Sequence, residues 1–480
     1  MAVNFKQATL LRTPTGQVER DGSQALGVQA ADPHRVLFIG LRRSTGTVLQ
    51  GVITRILGER DGDVYFAPDS QLAEALYAFK KLNKTAECYA LALDENAAGT
   101  AGTGTFPFVG TATEDKTVQL RVGSRRVYFK VLSGDSASSI ATKCAAAFAL
   151  LDRFMWTGAA ATGTVTLTCR HKGLLANDVT FAAEVLPAGV TCVATSPTNG
   201  STNPLMSAAI AALDEKRYDT VVTLLTDSTS MAALEAEMAR RAGPSIKEPG
   251  HVIAAMPGTL GTMLAFNRNS EYSTIMGSGL SPTVPWVWAA QVAARDALTC
   301  DTQPNRPRKG LSLPDCEAPA TANVLDADER DSLLRAGVST FITDYSGACM
   351  IDRLITTYQK NSSGVSDATY LDIGTVRTTW RLYVDILQAD SKFDQHLVMS
   401  DDDVLPVGIP VVTPKVMEGA IKQYARSAQQ RGLVKNLKAF EAALHAEINA
   451  LDTQTIDVEL PFDLVQGLVG RRYKLAFKLS

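Results

Sequence analysis

Apolar residues along this chain fall into short continuous runs separated by amphipathic stretches. Runs such as RVLFIGL (35–41) and TVVTLL (220–225) have the length and composition of strands buried on both faces. Between them, Leu72, Leu76 and Phe79 recur at the spacing of one helix face. The alternation of such runs predicts a mainly parallel sheet covered by helices on both sides, an α/β architecture. The same pattern predicts strands at 87–93 and 251–256 and helices at 70–81, 205–216, 228–241 and 260–267.

Small residues (AAGTAGTG, 97–104) interrupt this alternation, and a different pattern follows. The next hundred residues contain a hairpin around Gly123-Ser124, one helix at 137–150 and several short β segments. We therefore expect an inserted peripheral α+β domain. The predicted units are an N-terminal arm (1–34), a divided α/β domain (35–98 and 201–301), the insertion (99–200), an extended linker (302–325), an α+β C-terminal inner domain (326–470) and a C-terminal arm strand (471–480).

The C-terminal region follows a stretch that holds four prolines between residues 302 and 319. Asp326, with Glu329 three residues later, has the spacing of a capping box that starts a helix. The pattern beyond it predicts a hairpin at 338–358, helices near 370–390, 414–430 and 436–451, and strands at 454–460 and 473–479.

Composition and charge narrow the function classes. The 480 residues are 45% hydrophobic and 20% charged with a net charge of -3, which is typical of a folded multidomain protein with no overall attraction to nucleic acid or anionic lipid. Seven widely spaced cysteines fit neither a disulfide scaffold nor a structural zinc site. The N-terminus lacks a signal-peptide pattern, and the longest apolar stretch, 284–294, is about half a membrane span. We expect neither secretion by that route nor a membrane anchor.

Motifs for catalysis, cofactor binding and metal binding are missing. The sequence has no phosphate-binding loop, zinc-protease helix or nucleophile elbow. A serine-type triad would need His251 as base, with Asp219 or Asp227 and Ser278 as notional partners, and a strand-edge histidine is the plainer interpretation. The run 401–403 (DDD) lacks the alternating spacing of a cation loop. The prediction is a protein that is not an enzyme and has no cofactor or metal.

The last residues have an alternating pattern with one apolar face. Tyr473, Leu475, Phe477 and Leu479 alternate with polar or small residues. Burying these four side chains contributes about 6 to 12 kcal/mol, while ordering the segment costs roughly 1 to 2 kcal/mol per residue. These terms nearly cancel, so the segment is ordered only when it pairs with another strand, either in its own subunit or in a neighbour.

A predicted helix from Pro414 places its cations on one side and Met417, Ile421, Tyr424 and Ala428 on the other. The segment 415–438 carries a net charge of +5, and 385–403 carries -5. Such segments can pair within one subunit or between subunits. The candidate partner-facing cations are Lys415, Lys422, Arg426, Lys435 and Lys438.

One stretch carries a specific resemblance. LLRAGVSTFITDYSGACMIDRLITTYQKN (333–361), with the start of the chain, VVTP (411–414) and the insertion, resembles the contractile-tail sheath proteins of Mu-like phages over nearly the whole chain. The sequence departs from that family where Phe66-Ala67-Pro68-Asp69-Ser70 replaces a phenylalanine-glycine-x-glycine-serine motif, and where 393–403 is acidic. The matched positions are Gly337, Gly347, Arg353, Thr356, Thr357, Tyr358 and Asn361.

The resemblance implies a structural subunit that polymerises helically around a tail tube and contracts to drive the tube through the host envelope. It implies hexameric rings of identical subunits, arms that add strands to neighbours' sheets, and a C-terminal unit that contacts the tube. The candidate cations of 415–438 are then the candidate tube-facing residues. Further implied partners are the baseplate and tail terminator proteins, in a virion tail assembled in the host cytoplasm. Two alternatives stay open from the residues: an α/β hydrolase-like enzyme, and another shell or tube protein of a phage-like particle.

Overall fold

The structure is a computed structural model that describes residues 33–477, apart from 405 and 407. The predicted N-terminal arm lies outside the described residues except for Pro33 and His34. Leu479, which the tail pattern includes, also lies outside them.

Helices and strands alternate from the first described element onward. Residues 35–93 form β1 (Arg35–Leu41), β2 (Ile53–Ile56), α1 (Asp61–Phe66), α2 (Gln71–Leu82) and β3 (Glu87–Leu93). Residues 101–192 form β4 (Ala101–Gly110), β5 (Lys116–Val122), β6 (Arg125–Val131), α3 (Ala137–Ala149), β7 (Trp156–Ala161), β8 (Thr164–Lys172), β9 (Phe181–Val185) and β10 (Val190–Cys192). Residues 206–302 form α4 (Met206–Ala212), β11 (Thr220–Thr223), α5 (Ser228–Ala242), β12 (His251–Pro257), α6 (Leu260–Leu264), β13 (Ser273–Gly279) and α7 (Pro285–Thr302).

The rest of the described chain first completes the main sheet and then forms a separate group of helices and short strands. Residues 312–353 form β14 (Ser312–Glu317), α8 (Ala327–Arg335), β15 (Val338–Thr343) and β16 (Ala348–Arg353). The remaining elements are α9 (Ile373–Asp390), β17 (Leu397–Val398), β18 (Val411–Val412), α10 (Pro414–Gln430), β19 (Val434–Lys435), α11 (Leu437–Ala443), β20 (His445–Ile448), β21 (Ile456–Glu459) and β22 (Asp463–Leu464).

A nine-stranded sheet organises the described residues, in the order β14-β16-β15-β13-β12-β11-β1-β3-β2. Its central pairs, from β15 through β3, are parallel, and antiparallel pairs occur only at the two edges. The apolar runs at 35–41 and 220–223 are buried, as expected for strands covered on both faces. The expected mainly parallel α/β sheet is therefore confirmed.

Helix α7 packs its apolar side chains against this sheet. The sequence shows its apolar stretch but does not reveal its role, because a continuous apolar run has no amphipathic period. Trp288 and its neighbours are buried against the sheet and against α2. Side-chain amides join the two helices: Gln291 Nε2 donates to the carbonyl of Ala78 at 2.7 Å, and Asn83 Nδ2 donates to that of Ala294 at 3.2 Å.

The small-residue stretch at 97–104 leads directly into strand β4. Residues from Ala101 onward form a ten-residue strand that pairs with β8 and β10. Gly104 lies beneath the ring of Phe181, where a Cβ atom would overlap the ring. The glycine therefore permits close packing of a strand rather than flexibility.

The sheet also continues past two predicted boundaries. Strand β14 lies within the segment 302–325 that was expected to be an extended linker, and β15 pairs in parallel with β13. The predicted helix 436–451 is shorter than expected, because α11 ends at Ala443 and the chain then enters β20, which pairs with β21. The segment 471–477 forms no strand. Strand pairing, which the local apolar pattern does not report, decides the differences at β14, β15 and β20.

A buried ion cluster joins four parts of the fold. Asp296 on α7 is fully buried; its Oδ1 lies 2.9 Å from Arg308 Nε, and its Oδ2 lies 2.6 Å from Arg377 Nη2 on α9. Arg377 also donates to Thr220 Oγ1 at 2.6 Å, and that hydroxyl lies 2.8 Å from His34 Nε2. Burial by itself raises the pKa of Asp296, but the two guanidinium groups bring it far below its usual value.

Ala67 has a backbone conformation that favours glycine. Its φ of 74° and ψ of 143° lie outside the regions that L-residues adopt readily, and the residue is buried. Its carbonyl accepts hydrogen bonds from the amide and the hydroxyl of Ser70, which hold the turn before α2 in place. Ala67 stands where the resembling family has glycine, so the turn geometry is kept at a cost in backbone strain.

We expect Ala67→Gly to stabilise the protein by about 1 kcal/mol, because glycine relieves the strain and gives back only part of it as unfolded-state entropy. The measurement is the thermal midpoint of the full chain. The control is Ala146→Gly on the exposed side of α3, which should destabilise by about 1 kcal/mol. A lower midpoint for Ala67→Gly would contradict the strain argument.

We expect Asp296→Asn to cost about 3 to 5 kcal/mol, because it leaves two buried guanidinium groups without a counter-charge. Urea unfolding measures the loss. The matched control is Asp331→Asn, which breaks an exposed pair with Arg335 on α8 and should change stability by less than about 0.5 kcal/mol. Equal effects of the two substitutions would show that the cluster does not hold the elements together.

Candidate functional site

The carboxyl ends of β1 and β11 form the crevice in which open α/β sheets commonly bind ligands. Strand β1 has β3 on one side and β11 on the other, so the direction of sheet growth reverses there. Gln71, the first residue of α2, fills this crevice. Its Oε1 accepts from the amide of Leu41 at 3.3 Å, and its Nε2 donates to the carbonyl of Leu224 at 3.0 Å. The chain's own side chain thus occupies the usual ligand position.

The notional catalytic residues are not brought together. His251 is buried with its Nε2 2.8 Å from Thr274 Oγ1, and burial holds the pKa of its ring well below the ordinary value. Asp227 instead caps α5 by accepting from the amide of Ser230 at 3.0 Å. Ser278 donates to the carbonyl of Met256 at 3.1 Å.

Asp219, the other notional acid, accepts from the amide of Arg35 at 2.9 Å. Neither it nor Asp227 orients the imidazole of His251 in the way that a triad requires.

One group of side chains has the types and the proximity for metal binding. His34, Asp296 and Cys300 lie within reach of one another. However, Arg308 and Arg377 already bind both oxygens of Asp296, and two positive charges beside the carboxylate oppose a further cation. These residues therefore do not fit a metal ion.

The residues of the 333–361 stretch have structural roles at the end of β16. Gly337 has a φ of 82° and faces the backbone of Thr357, where a Cβ atom would have no room. Arg353 Nη2 binds Asp372 at 3.0 Å just before α9, and Thr357 Oγ1 donates to the carbonyl of Ser270 at 3.0 Å. This stretch joins the nine-stranded sheet to the C-terminal helices.

The neighbouring matched positions complete the same connection. Thr356 Oγ1 donates to the carbonyl of Tyr370 at 2.7 Å, and Tyr358 donates to Asp367 at 2.6 Å. Asn361 Oδ1 accepts from the amides of two following residues and shapes the turn.

The tail segment presents its apolar face to solvent. Within the described residues, Tyr473 is 85% exposed, Leu475 is 89% exposed and Phe477 is 77% exposed. Large apolar side chains in one alternating series are unusual on a monomer surface and mark a contact with another surface.

A groove with matching chemistry lies between α9, α10 and β21. Its volume is about 180 Å³, and its walls are mainly apolar. Strand β21 borders it and pairs with β20 on one side, while its other edge has no strand partner among the described residues. The main lining residues are Ile386, Met417, Ile421, Tyr424, Ile456, Val458 and Leu460.

The predicted cationic face of α10 is partly neutralised within the subunit. Lys422 lies 3.1 Å from Glu418, Arg426 lies 2.8 Å from Glu441, and Lys435 lies 3.5 Å from Asp463. Lys415 and Lys438 are exposed. The opposite side of α10 packs or lines the groove, as its amphipathic pattern predicts.

The acidic segment touches the basic one at two places. Arg431 binds Asp385 at 2.7 Å, and Asp401 accepts from the backbone amide of Lys415 at 3.0 Å. A hydrogen bond from the Thr413 side chain and this amide contact lower the pKa of Asp401. Part of the predicted acidic–basic pairing therefore occurs within one subunit, and Asp401 supports the start of α10.

Comparison with known proteins gives consistent results. Residues 199–357 match the family model of the phage tail sheath protein central domain, a range that contains α4 to β16 and the segment that follows. Over 456 residues, 93% of this chain and 93% of the relative, the sequence is 29% identical to the Mu-like prophage FluMu tail sheath protein of Haemophilus influenzae.

Solved structures share the fold. The sheath tail protein of Desulfitobacterium hafniense superposes with a TM-score of 0.52 at 13% identity, covering 95% of this chain and 97% of that one. The helical sheath of the anti-feeding prophage in its contracted state gives a TM-score of 0.50 at 14% identity, covering 98% and 99%. Among the described residues, no helix is both long and apolar enough to cross a membrane. The chain therefore resembles the contractile phage tail sheath proteins, and their Mu-like members over nearly its whole length.

Proposed function

We propose that this chain is a contractile tail sheath subunit and that it joins its neighbours by adding its C-terminal segment as a strand along β21 of an adjacent copy. The observation that carries the proposal is the match between the exposed tail and the unpaired edge of β21. The subunit then builds a helical sheath of hexameric rings around a tail tube and acts mechanically, without catalysis. Its further partners are the baseplate and tail terminator proteins, and the sheath drives the tube through the host envelope.

Both the tail and β21 have a row of apolar side chains on one side. In an extended tail, Tyr473, Leu475 and Phe477 fall on one side because they alternate in sequence, and Ile456 and Val458 of β21 line the groove. A strand placed beside β21 lays the first set over the second and removes both from water. Side chains on the same face of neighbouring strands contribute about 0.2 to 1 kcal/mol per pair beyond their burial.

The polar sides of β21 and of the tail carry opposite charges. Asp457 and Glu459 of β21 are exposed, and Lys474 lies on the polar side of the tail. Addition of the tail places a cation beside two carboxylates, while the free backbone groups of the β21 edge gain hydrogen-bond partners. The carboxylates favour a basic strand over an acidic one and thereby select the partner.

A contact between two different surfaces of identical subunits is head-to-tail. Such a contact generates an open helix when its rotation does not close a ring. The main-chain hydrogen bonds and apolar contacts of an added strand are little affected by salt, so this joint can persist while subunits rearrange. Contacts with the tube, by contrast, have to be released during contraction.

The proposed tube contact uses Lys415 and Lys438, the two candidate cations without an ion pair among the described residues. Exposed charge pairs contribute about 0 to 1 kcal/mol each and are screened by salt, which suits a reversible contact. We further propose that the insertion 99–200 lies at the outside of the sheath, away from the tube, and that assembly takes place in the host cytoplasm before the subunit becomes part of a virion tail.

Removing 471–480, or introducing Leu475→Ser with Phe477→Ser, should give subunits that stay monomeric in sedimentation with an unchanged thermal midpoint. The reason is that the tail adds little to the folding of its own subunit. The matched control is Ala476→Ser on the polar side, which should still form filaments in electron micrographs. Filaments from the truncated protein would contradict the proposal.

The charge complementarity between the tail and β21 can be tested by reversing the charges on both sides. Asp457→Lys with Glu459→Lys should weaken assembly severalfold because Lys474 then faces two cations, and adding Lys474→Glu should restore it. A failure of this rescue while the truncation still blocks assembly would show that the tail binds elsewhere.

Lys415→Glu with Lys438→Glu should weaken co-sedimentation with tail tube at low salt and leave tube-free assembly unchanged. The difference from wild type should shrink as salt is added, because screening removes the charge contribution. The control is Lys130→Glu with Lys360→Glu, two exposed lysines outside the basic segment 415–438. Unchanged tube binding by the first variant would show that this surface faces elsewhere.

A further inference from the structure

The insertion reaches the carboxyl edge of the main sheet with one buried side chain, His171 at the end of β8. The residue is 0% exposed. Its Nδ1 lies 3.0 Å from Oε1 of Glu95, which follows β3. Its Nε2 accepts a hydrogen bond from the backbone amide of Gln71 at 3.2 Å. Both ring nitrogens are therefore committed to groups outside the insertion.

These contacts define the protonation state of the ring. The amide of Gln71 can only donate, so Nε2 must keep its lone pair, and the single ring proton lies on Nδ1 facing Glu95. A second proton on Nε2 would place two donors against each other in a buried site. The contact with Gln71 therefore requires a neutral imidazole.

The same contact supports the side chain that fills the crevice. Gln71 begins α2, where backbone amides lack partners within the helix, and His171 provides the partner for its amide. The Gln71 side chain then bridges the ends of β1 and β11. Loss of the His171 contact frees the residue on which the closed crevice depends.

We propose that His171 is an acid-sensitive latch between the insertion and the main sheet, closed with a neutral ring and released when Nε2 gains a proton. In the closed state the insertion covers the filled crevice. In the released state the imidazolium moves into water, and both the start of α2 and the end of β8 become mobile. The latch goes beyond assembly, because it acts within one subunit.

The charged groups around the ring come from three other segments. Arg43, after β1, lies 3.3 Å from the Glu95 oxygen that contacts His171, and Asp69, before α2, pairs with Arg43 and with Arg170 of β8. Burial lowers the pKa of His171, Arg43 lowers it further, and Glu95 and Asp69 offset these effects only in part.

The lowered pKa of His171 in the closed state determines the sign of the pH dependence. The released ring has an ordinary pKa near 6.5, whereas the latched ring has a lower one. Well above pH 6.5 both states are neutral and the latch holds fully. As the pH falls below 6.5 the released state gains a proton that the closed state cannot accept, so the equilibrium moves toward release by up to about tenfold per pH unit.

Hydrogen exchange of the full-length chain between pH 7.5 and 5.0 tests the proposal. Opening constants, corrected for intrinsic exchange, are measured for peptides that cover 71–76 and 168–174. They should rise by up to about tenfold per pH unit below 6.5 in the wild type. They should stay flat in His171→Gln, whose side-chain oxygen can accept from the Gln71 amide at every pH. His445→Gln, at an exposed site, should keep the wild-type slope.

Two results would overturn the latch: a flat wild-type profile, or the same slope in His171→Gln as in the wild type. If His171→Gln fails to fold, nitrogen NMR of histidine-labelled wild-type protein at pH 7.5 decides. The proposal requires a neutral ring protonated on Nδ1. A ring protonated on Nε2, or on both nitrogens, would contradict it.

Discussion

The carboxylate of Asp296 cannot be left without a counter-charge, and much of the architecture depends on how it is neutralised. It lies fully buried on α7, the apolar helix that supports the main sheet. Arg308 reaches it from the segment after α7, and Arg377 reaches it from α9. Because an unpaired buried charge costs several kcal/mol, the C-terminal helices are held in a defined position against the sheet.

Ion pairs also join the insertion to the rest of the chain. Arg170 binds Asp69, Arg153 binds Asp63 and Arg126 binds Glu317 with two hydrogen bonds. These pairs come from three different segments of the insertion, so the insertion is held to the rest of the chain at more than one point. A subunit held in this way can transmit force between its contacts with neighbours, as the proposed sheath function requires.

Such a protein also has to leave some surfaces incomplete. At one edge of the main sheet, Pro314 lies within β14 and the pairing is irregular, which limits the addition of another strand. Strand β21 has no comparable protection: its free edge borders an apolar groove. The difference between a protected and an open edge supports β21 as the surface for a partner strand.

The sequence by itself determined the elements that depend on neighbouring residues, such as apolar runs and helix caps. Buried strands such as 35–41 follow from continuous apolar runs, and the capping box of Asp326 and Glu329 is present as its spacing predicts. The resemblance to contractile-tail sheath proteins was also accessible from sequence, because the 333–361 stretch carries specific motifs. The exposed apolar tail follows from simple alternation.

Tertiary structure decided whatever depends on distant partners. Strand β4 is glycine- and threonine-rich and became recognisable only through the Phe181 ring that packs on Gly104. The cations of α10 had a helical face in the sequence, but Glu441, which neutralises Arg426, comes from a different helix. His171 gave no signal of its own, since its two partners lie 76 and 100 residues away. Periodicity reports which face of an element is buried, whereas hydrogen bonds and ion pairs between elements depend on the folded arrangement of the whole chain.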